Sequence, residues 1–400
     1  MLPEGWKKTK VGKEYSVQLG KMLNKVAKEK YPQFKYLTNM NIRWGGFSVD
    51  NLNSMYFSEN ERKKFNLSFG DLLVCEGGDV GRCAIWENNL ENCFYQKAIH
   101  RVRSLHGNLT KYLGYILEYF SFIGKFKDIA TRTSIAHLTK EQLENTSILL
   151  PPLPEQQKIA AILSTWDKAI STTDALLANS RQQKKALMQQ LLTGKRRLPG
   201  FTGEWKTILL SDIAVRLNER NNGQSDNVVT ISAQKGLVRQ EEFFNKSIAS
   251  ENLDTYFILH KGQFAYNKSY SIGYPMGAIK RLKLYETGVV TSLYICFDIT
   301  SMQADANFYE RFFESGLLNA ALTKIAAEGG RAHGLLNVRP ADFMHISVPL
   351  PPLDEQRAIA AVLDAADREI VLLEQKAACL REEKKALMQQ LLTGKRRVRL

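Results

Sequence analysis

The sequence predicts an α+β protein. It has two mixed α/β domains related by a pseudo-two-fold axis, each followed by a long helix, with the two helices forming an antiparallel coiled coil. Three observations predict this. The fourteen residues Lys184–Arg197, KKALMQQLLTGKRR, return unchanged as Lys384–Arg397. Upstream, Pro151-Pro152-Leu153-Pro154-Glu155-Gln156 returns as Pro351-Pro352-Leu353-Asp354-Glu355-Gln356, and 27 of the 47 positions in 151–197 match those in 351–397. An internal repeat of that quality decides architecture before any local propensity does. Third, apolar residues within each copy alternate spacings of four and three over four heptads, the signature of a coiled-coil seam. The chain therefore divides into a domain over 1–150, a helix over 151–198, a second domain over 199–350 and a second helix over 351–400.

The elements follow in order. Each domain opens on Trp-Lys, Trp6-Lys7 and Trp205-Lys206, before an apolar stretch. Strand-like runs lie at Leu72–Val74, Ala98–Val102, Val228–Ile231 and Val289–Phe297, and helical ones at Tyr112–Phe122 and Asn307–Ala327. A Gly-rich turn sits in mid-domain, at 77–82 in the first and 273–277 in the second, and each domain ends in a His-containing loop. Two prolines then stop the last strand, and Glu155 or Glu355 falls in the first turn of the helix, where the dipole favours an acid. The first seam runs Ile159, Leu163, Trp166, Ile170, Thr173, Leu177, Ser180, Lys184, Leu187, Leu191, and the second runs through the matching positions 200 residues on. Gly194 and Gly394 stand where a C′ glycine ends a helix. A helix this long, ~50–60 Å at 1.5 Å per residue, outruns any domain of this size, so each is the natural partner of the other.

Composition narrows the function. Of 400 residues, 44% are hydrophobic and 24% charged, ordinary for a globular chain. No apolar run reaches the ~18 residues of a membrane span, Met1–Trp6 lacks signal-peptide character, and five scattered cysteines make no disulfide framework, so a reduced cytoplasmic protein is expected. Thr193-Gly194-Lys195 lacks the spacing of a phosphate loop. Cys75, Cys83 and Cys93 lack metal-knuckle spacing. No carboxylate pattern rises above chance, and no methyl-donor pocket or Asn-Pro-Pro-aromatic loop is present. The expectation is a non-catalytic chain that binds no cofactor or metal itself.

The net charge of +14 points to a polyanionic partner. It is uneven: the first domain carries +7 and the second is neutral. In the first, the natural contacts are Arg43, Trp44, Lys63, Lys64, Arg82, Lys97, Arg101, Arg103, Arg132, Thr133, Ser134 and His137. In the second they are Lys235, Arg239, Lys268, Tyr270, Arg331, His333, Asn337 and Arg339. Arg and Lys suit guanine edges and phosphates, Asn suits adenine, and Ser/Thr suit phosphates. Off the seam, Lys185, Met188, Gln189 and Gln190 equal Lys385, Met388, Gln389 and Gln390 although a seam does not require it. Either recombination keeps the copies alike, or one outer surface docks the same partner twice.

The paired Leu-Pro-Pro-Leu-x-Glu-Gln stretches at 150–156 and 350–356, the paired Leu-Leu-x-Gly-Lys-Arg endings, the Trp-Lys openings and the loops holding Ser134–His137 and Arg331–His333 resemble the specificity (S) subunits of type I restriction–modification systems. The resemblance covers nearly the whole chain. It implies two target recognition domains, each reading one half of a bipartite, asymmetric double-stranded DNA sequence, and a coiled coil that sets the gap between the halves. It further implies two methyltransferase (M) subunits docked on the repeats for adenine methylation and restriction (R) subunits for cleavage. S-adenosylmethionine, ATP and Mg would then be held by those partners, and no membrane is involved. Half-sites one helical turn apart, ~34–36 Å, lie within reach of such a rod. The alternative is a coiled-coil scaffold that binds two copies of a protein partner without reading DNA; an RNA adaptor would need stacking signatures the sequence lacks.

Overall fold

A computed structural model describes residues 2–126, 137–232, 235–244, 253–271, 273–326 and 336–399. The chain forms two compact units, Met1–Ala175 with Glu374–Leu400, and Leu176–Leu373. Both units draw on both long helices, Leu153–Leu191 and Leu353–Leu391.

In the first unit a four-stranded antiparallel sheet runs in the order Tyr15–Leu19, Ile99–Ser104, Leu72–Cys75, Cys83–Ile85. Helix Thr110–Phe122 packs on one face through Tyr112, Leu113, Ile116 and Leu117. The other face meets a second core built around Trp86, Phe57 and Phe94 and a three-stranded sheet of Asn53–Tyr56, Gln33–Leu37 and Phe94–Tyr95. Strand Lys7–Lys10 pairs antiparallel with Ser147–Leu150, so the chain's opening lies beside the residues that lead into the first long helix. Pro151 and Pro152 end that strand because neither can donate to a ladder.

The second unit repeats the plan. Its sheet runs Ala214–Leu217, Ile295–Ile299, Phe264–Asn267, Ala278–Arg281, its opening strand Lys206–Leu209 pairs with Ser347–Leu350, and Ala306–Glu314 takes the place of the domain helix. It differs in two satellite pairs, the hairpin Val229–Ser232/Gly236–Arg239 and the pair Phe257–His260/Thr287–Val290. Two expectations are corrected here. The run 289–297 is two strands, Thr287–Val290 and Ile295–Ile299, because a turn closes between them with Tyr294 N–H donating to Thr291 O at 3.1 Å. The helical stretch 307–327 breaks after Glu314, where Gly316 takes φ +78°, and resumes at Asn319–Ile325.

The helix pairing is antiparallel within each unit. In the first, Glu155 meets Arg397, Trp166 meets Glu383 and Asp174 meets Arg381; in the second, Ser180 meets Glu369, Lys184 meets Asp367 and Arg197 meets Glu355. Every residue of the first predicted seam is buried or half-buried. Both helices end as expected, with Gly194 at φ +68° and Gly394 at φ +72°.

The repeated motifs close the two domains. In the first unit the carboxylate of Glu155, 3% exposed, accepts from Trp6 Nε1 at 3.0 Å and from the Arg397 guanidinium, whose Nε lies 3.0 Å away. In the second, Glu355, fully buried, accepts from Trp205 Nε1 at 2.9 Å and from Arg197 Nε and Nη2 at 2.5 and 2.6 Å. Next to them, Gln156 accepts from Leu109 N–H and Gln356 from Asp305 N–H, the residues that cap the two domain helices. A buried carboxylate is tolerable when charge-assisted donors fill its lone pairs, and here the same set does so twice.

Candidate nucleic-acid interface

In the first domain, the loop between Leu72–Cys75 and Cys83–Ile85 turns tightly. Gly81 N–H returns to Cys75 O at 3.1 Å, and Arg82 N–H to Asp79 O at 3.1 Å. Gly81 takes φ +81°, and a Cβ there would lie 2.5 Å from the Phe126 ring, so glycine is required on both counts. Around this turn the fold gathers residues distant in sequence. The hairpin Ile42–Arg43/Gly46–Phe47 brings Arg43 and Trp44, and the Trp44 indole donates to Asp79 Oδ2 at 3.0 Å. Arg82 donates through Nη2 to Asn39 O at 2.8 Å, with its Nη1 3.8 Å from Asp79. Glu76 N–H donates to Ala98 O, which places Lys97 beside the turn, and Ala98 itself holds φ +118°, a strained value for an L residue. His137 bridges to Gly77, and Leu138 N–H donates to Glu76 O at 2.6 Å. Arg43, Lys97 and His137 are exposed, and Trp44 and Arg82 half-buried. One turn thus presents cations, an indole and a carboxylate, held by backbone and by each other.

The equivalent turn of the second domain, between Phe264–Asn267 and Ala278–Arg281, has another chemistry. Gly277 is required, since a Cβ would lie 2.2 Å from Asn267 O. Leu336 N–H donates to Lys268 O at 3.0 Å, as Leu138 does to Glu76 in the first domain. Tyr270 stands 63% exposed on the turn, Lys268 is half-buried with its ammonium pushed below the ordinary lysine range by burial, and Asn337 and Arg339 follow Leu336 on the surface. Lys235 and Arg239 sit apart, on the hairpin whose apolar face packs with Tyr274, Tyr285 and Tyr294. Arg239 is exposed, donates to Asn227 Oδ1 at 3.2 Å and lies over the Tyr285 ring.

Several expected contacts have other duties. Arg101 is buried: its Nη1 donates to Lys64 O and Asn66 O at 3.0 and 2.7 Å, at the negative C-terminal end of helix Glu59–Phe65. Arg103 forks onto Asp71, Nε to Oδ1 at 2.5 Å and Nη2 to Oδ2 at 2.8 Å. Strand Ile99–Ser104 has cores on both faces, so Arg101 is drawn inside, whereas the Arg103 side chain stays 39% exposed beside Asp71. Arg101 is thereby withdrawn from the surface, and Arg103 meets solvent as one half of an ion pair. Lys63 and Lys64 are exposed on helix Glu59–Phe65, Lys63 pairing with Glu59. Met188 and Met388 are corrected too: each is buried, Met188 in the core of the second domain and Met388 in that of the first. Lys185, Gln189, Gln190, Lys385, Gln389 and Gln390 are exposed. Arg132, Thr133, Ser134, Arg331 and His333 lie outside the described residues.

Sequence reasoning missed the closing set of Trp6, Glu155 and Arg397 and its counterpart of Trp205, Glu355 and Arg197, although every member lies in a motif that recurs. Among the described residues, no group of three or more His, Cys, Asp or Glu could hold a metal ion, and no helix is long and apolar enough to cross a membrane.

Comparison with known proteins gives a consistent result. The type I restriction modification DNA specificity domain matches twice, over residues 3–179 and 204–381. A putative type I restriction enzyme MjaX specificity subunit from Methanocaldococcus jannaschii is 27% identical over 84% of this chain and 80% of its own length. The MjaVIII specificity subunit of the same organism is 24% identical over 100% and 94%. Among solved structures, the S subunit of the type I restriction–modification system from M. genitalium covers 98% of this chain, and 96% of it is covered in turn, with a TM-score of 0.58 at 15% identity. The HsdS subunit from Thermoanaerobacter tengcongensis matches over 98% of both chains with a TM-score of 0.52 at 16% identity. The last two establish likeness of fold.

Proposed function

Because the chain belongs to the type I restriction–modification DNA specificity family and is a specificity subunit with two target recognition domains, we propose that each domain reads one half of a bipartite, asymmetric DNA target through its mid-sheet turn. The first domain does so with Arg43, Trp44, Arg82, Lys97 and His137. The second does so with Lys268, Tyr270, Asn337 and Arg339, assisted by Lys235 and Arg239 on the hairpin. The observation that carries this reading is the turn itself: both domains build it at the same place between the same two strands, yet fill it with different side chains. Shared position with unlike chemistry suits two unlike half-sites. Exposed Lys and Arg supply phosphate attraction, and the arginine, asparagine and aromatic side chains supply discrimination.

In the same reading the chain supplies recognition, and catalysis belongs to its partners. Two M subunits, carrying S-adenosylmethionine, dock on the exposed Lys185/Gln189/Gln190 and Lys385/Gln389/Gln390 surfaces. These residues are identical in the two copies, while Met188 and Met388 are kept by packing into the domains. R subunits add ATP- and Mg-dependent cleavage, and the length of the paired helices sets the gap. The test is methylome sequencing of a clean host that expresses the M subunit with and without this chain. A split motif of methylated adenines that depends on this chain supports the reading and reports both half-sites. Folded, M-associated chain that yields no new methylation would put the protein-scaffold function in its place.

A further inference from the structure

The first domain holds an open cavity of about 240 Å³ whose described lining includes no residue of the DNA-reading turn. Buried Ile116, Ile148 and Leu392 form its apolar floor, the half-buried Phe120 ring one wall, and the exposed lysines Lys8 and Lys125 stand at its rim. Among the described residues, no carboxylate lines it. Lys125 Nζ lies over the Phe120 ring, 3.5 Å from its centroid, and donates to Ser147 O at 3.3 Å. Burial, with Lys8 as a like charge, pushes the Lys125 ammonium below the ordinary lysine range. Next to the cavity the domain helix ends on two exposed apolar side chains, Phe122 at 46% and Ile123 at 55% exposure, one helical turn beyond residues that line it. Two cations held beside an apolar floor, with no acid among the described lining residues to balance them, form a surface that an anion joined to an apolar group would complete.

We propose that this cavity is a docking point for a protein segment that carries a bulky apolar side chain beside carboxylates, anchored in the floor and paired with Lys8 and Lys125. Size favours a protein segment over a small molecule. Ligand pockets span ~300–1,000 Å³, whereas this volume suits one anchor side chain of an interface. The site also breaks the repeat. In the second domain the strand pair that corresponds to Lys8 opposite Leu149 has Thr207 opposite Pro349, although Leu192 and Thr193 repeat Leu392 and Thr393. A partner using the cavity engages the chain once, whereas the repeated helix surfaces offer two equal sites.

The test uses the full chain without DNA or M subunit, so its outcome is separate from that of target recognition. The probe is a fluorescein-labelled, end-blocked peptide Asp-Glu-Phe-Leu-Glu-Asp, followed by anisotropy, with a version in which Lys replaces every acid and one in which Gly replaces Phe and Leu. The expected result is one acidic–apolar peptide per chain by native mass spectrometry, with both control peptides at least tenfold weaker. Lys125→Ala weakens binding at least tenfold, and Lys125→Arg, which keeps the charge, preserves it. Lys324→Ala, an exposed lysine on helix Asn319–Ile325 of the second domain, changes nothing. Equal binding of the control peptides, two peptides per chain, or indifference to Lys125→Ala in a chain with wild-type melting would overturn the proposal. Phenylacetate binding as tightly as the peptide would do so as well, by assigning the cavity to small carboxylates.

Discussion

The two target recognition domains share their frame and differ in their decoration. Both have the same sheet order, the same opening strand paired beside the long helix, the same Trp–Glu–Arg set and the same glutamine capping the domain helix. They diverge at the mid-sheet turn, in the satellite strands and in charge, +7 against neutral. What repeats positions each domain on the helices, and what varies faces outward at the turn. The helix-facing contacts show where this rule begins to relax. In the first unit buried Lys384 sits between Glu118 at 2.5 Å and Asp167 at 2.7 Å, with Tyr115 donating to Asp167. In the second, Lys184 meets Asp367 at 2.5 Å, but the domain contributes Arg311, which reaches Asp364 and Asp367 at 2.5 and 2.8 Å. The lysine and aspartate repeat; the domain's own group changes sign.

That difference gives the largest expected effect. Lys384→Ala strands Glu118 in a buried site and should cost about 3–5 kcal/mol at neutral pH. Lys184→Ala should cost less, because Arg311 still neutralises Asp367. Burial already pushes the Glu118 carboxyl above its ordinary value of 4.5, despite Lys384. A folded-state pKa above the unfolded one means that the ionised form opposes folding. The penalty acts above the folded pKa and disappears as pH falls through it. The Lys384→Ala deficit should therefore shrink as pH falls from 7 toward 4.5, a trend that urea melts at several pH values will show or refute.

Next come the methionines. Met388→Ala and Met188→Ala change the same letter in the same fourteen-residue string, yet should loosen different domains, the first and the second respectively, by about 2–5 kcal/mol each. Hydrogen exchange localises the damage, and identical protection maps for the two variants would contradict the packing described above.

The helices were legible because a 3.5-residue period and an exact repeat are local signals, and so were the C′ glycines. The two turns were visible as Gly-rich stretches. The roles of Arg101 and Arg103 were not, because nothing local says that strand Ile99–Ser104 is covered on both faces or that the end of helix Glu59–Phe65 offers carbonyls to Arg101. Met188 and Met388 looked like a surface for a similar reason. Their helix faces a domain as well as its partner helix, so the buried stripe is wider than a two-stranded seam. The repeated Glu was legible as a motif but not as a buried acceptor, since its donors lie about 150 residues or more away in sequence.

Smaller effects test the division of labour between the turns. Arg82→Ala should cost about 1–3 kcal/mol of binding to the cognate target and relax one half of the motif, with the other half unchanged. Tyr270→Ala should relax the opposite half. Methylation profiling on a randomised target library measures both, and relaxation of the same half by both variants would break the assignment of one domain to each half.

The smallest effect is also the most discriminating for charge. Lys97 is an exposed lysine on the basic domain, whereas Lys268 is half-buried on the neutral one, where its neighbours limit how closely a phosphate can approach it. Each phosphate contact contributes a slope of about −0.9 to log K against log salt. Lys97→Ala in the complex with M subunits should therefore lower the magnitude of the salt slope by about 1 while weakening all DNA sequences alike. Lys268→Ala should change the slope by distinctly less. Equal slope changes would mean that the two domains meet the phosphates symmetrically, in spite of a charge difference of seven. The neutral second domain would then owe its grip on DNA to its turn alone, without help from the overall field that the first domain adds to its own.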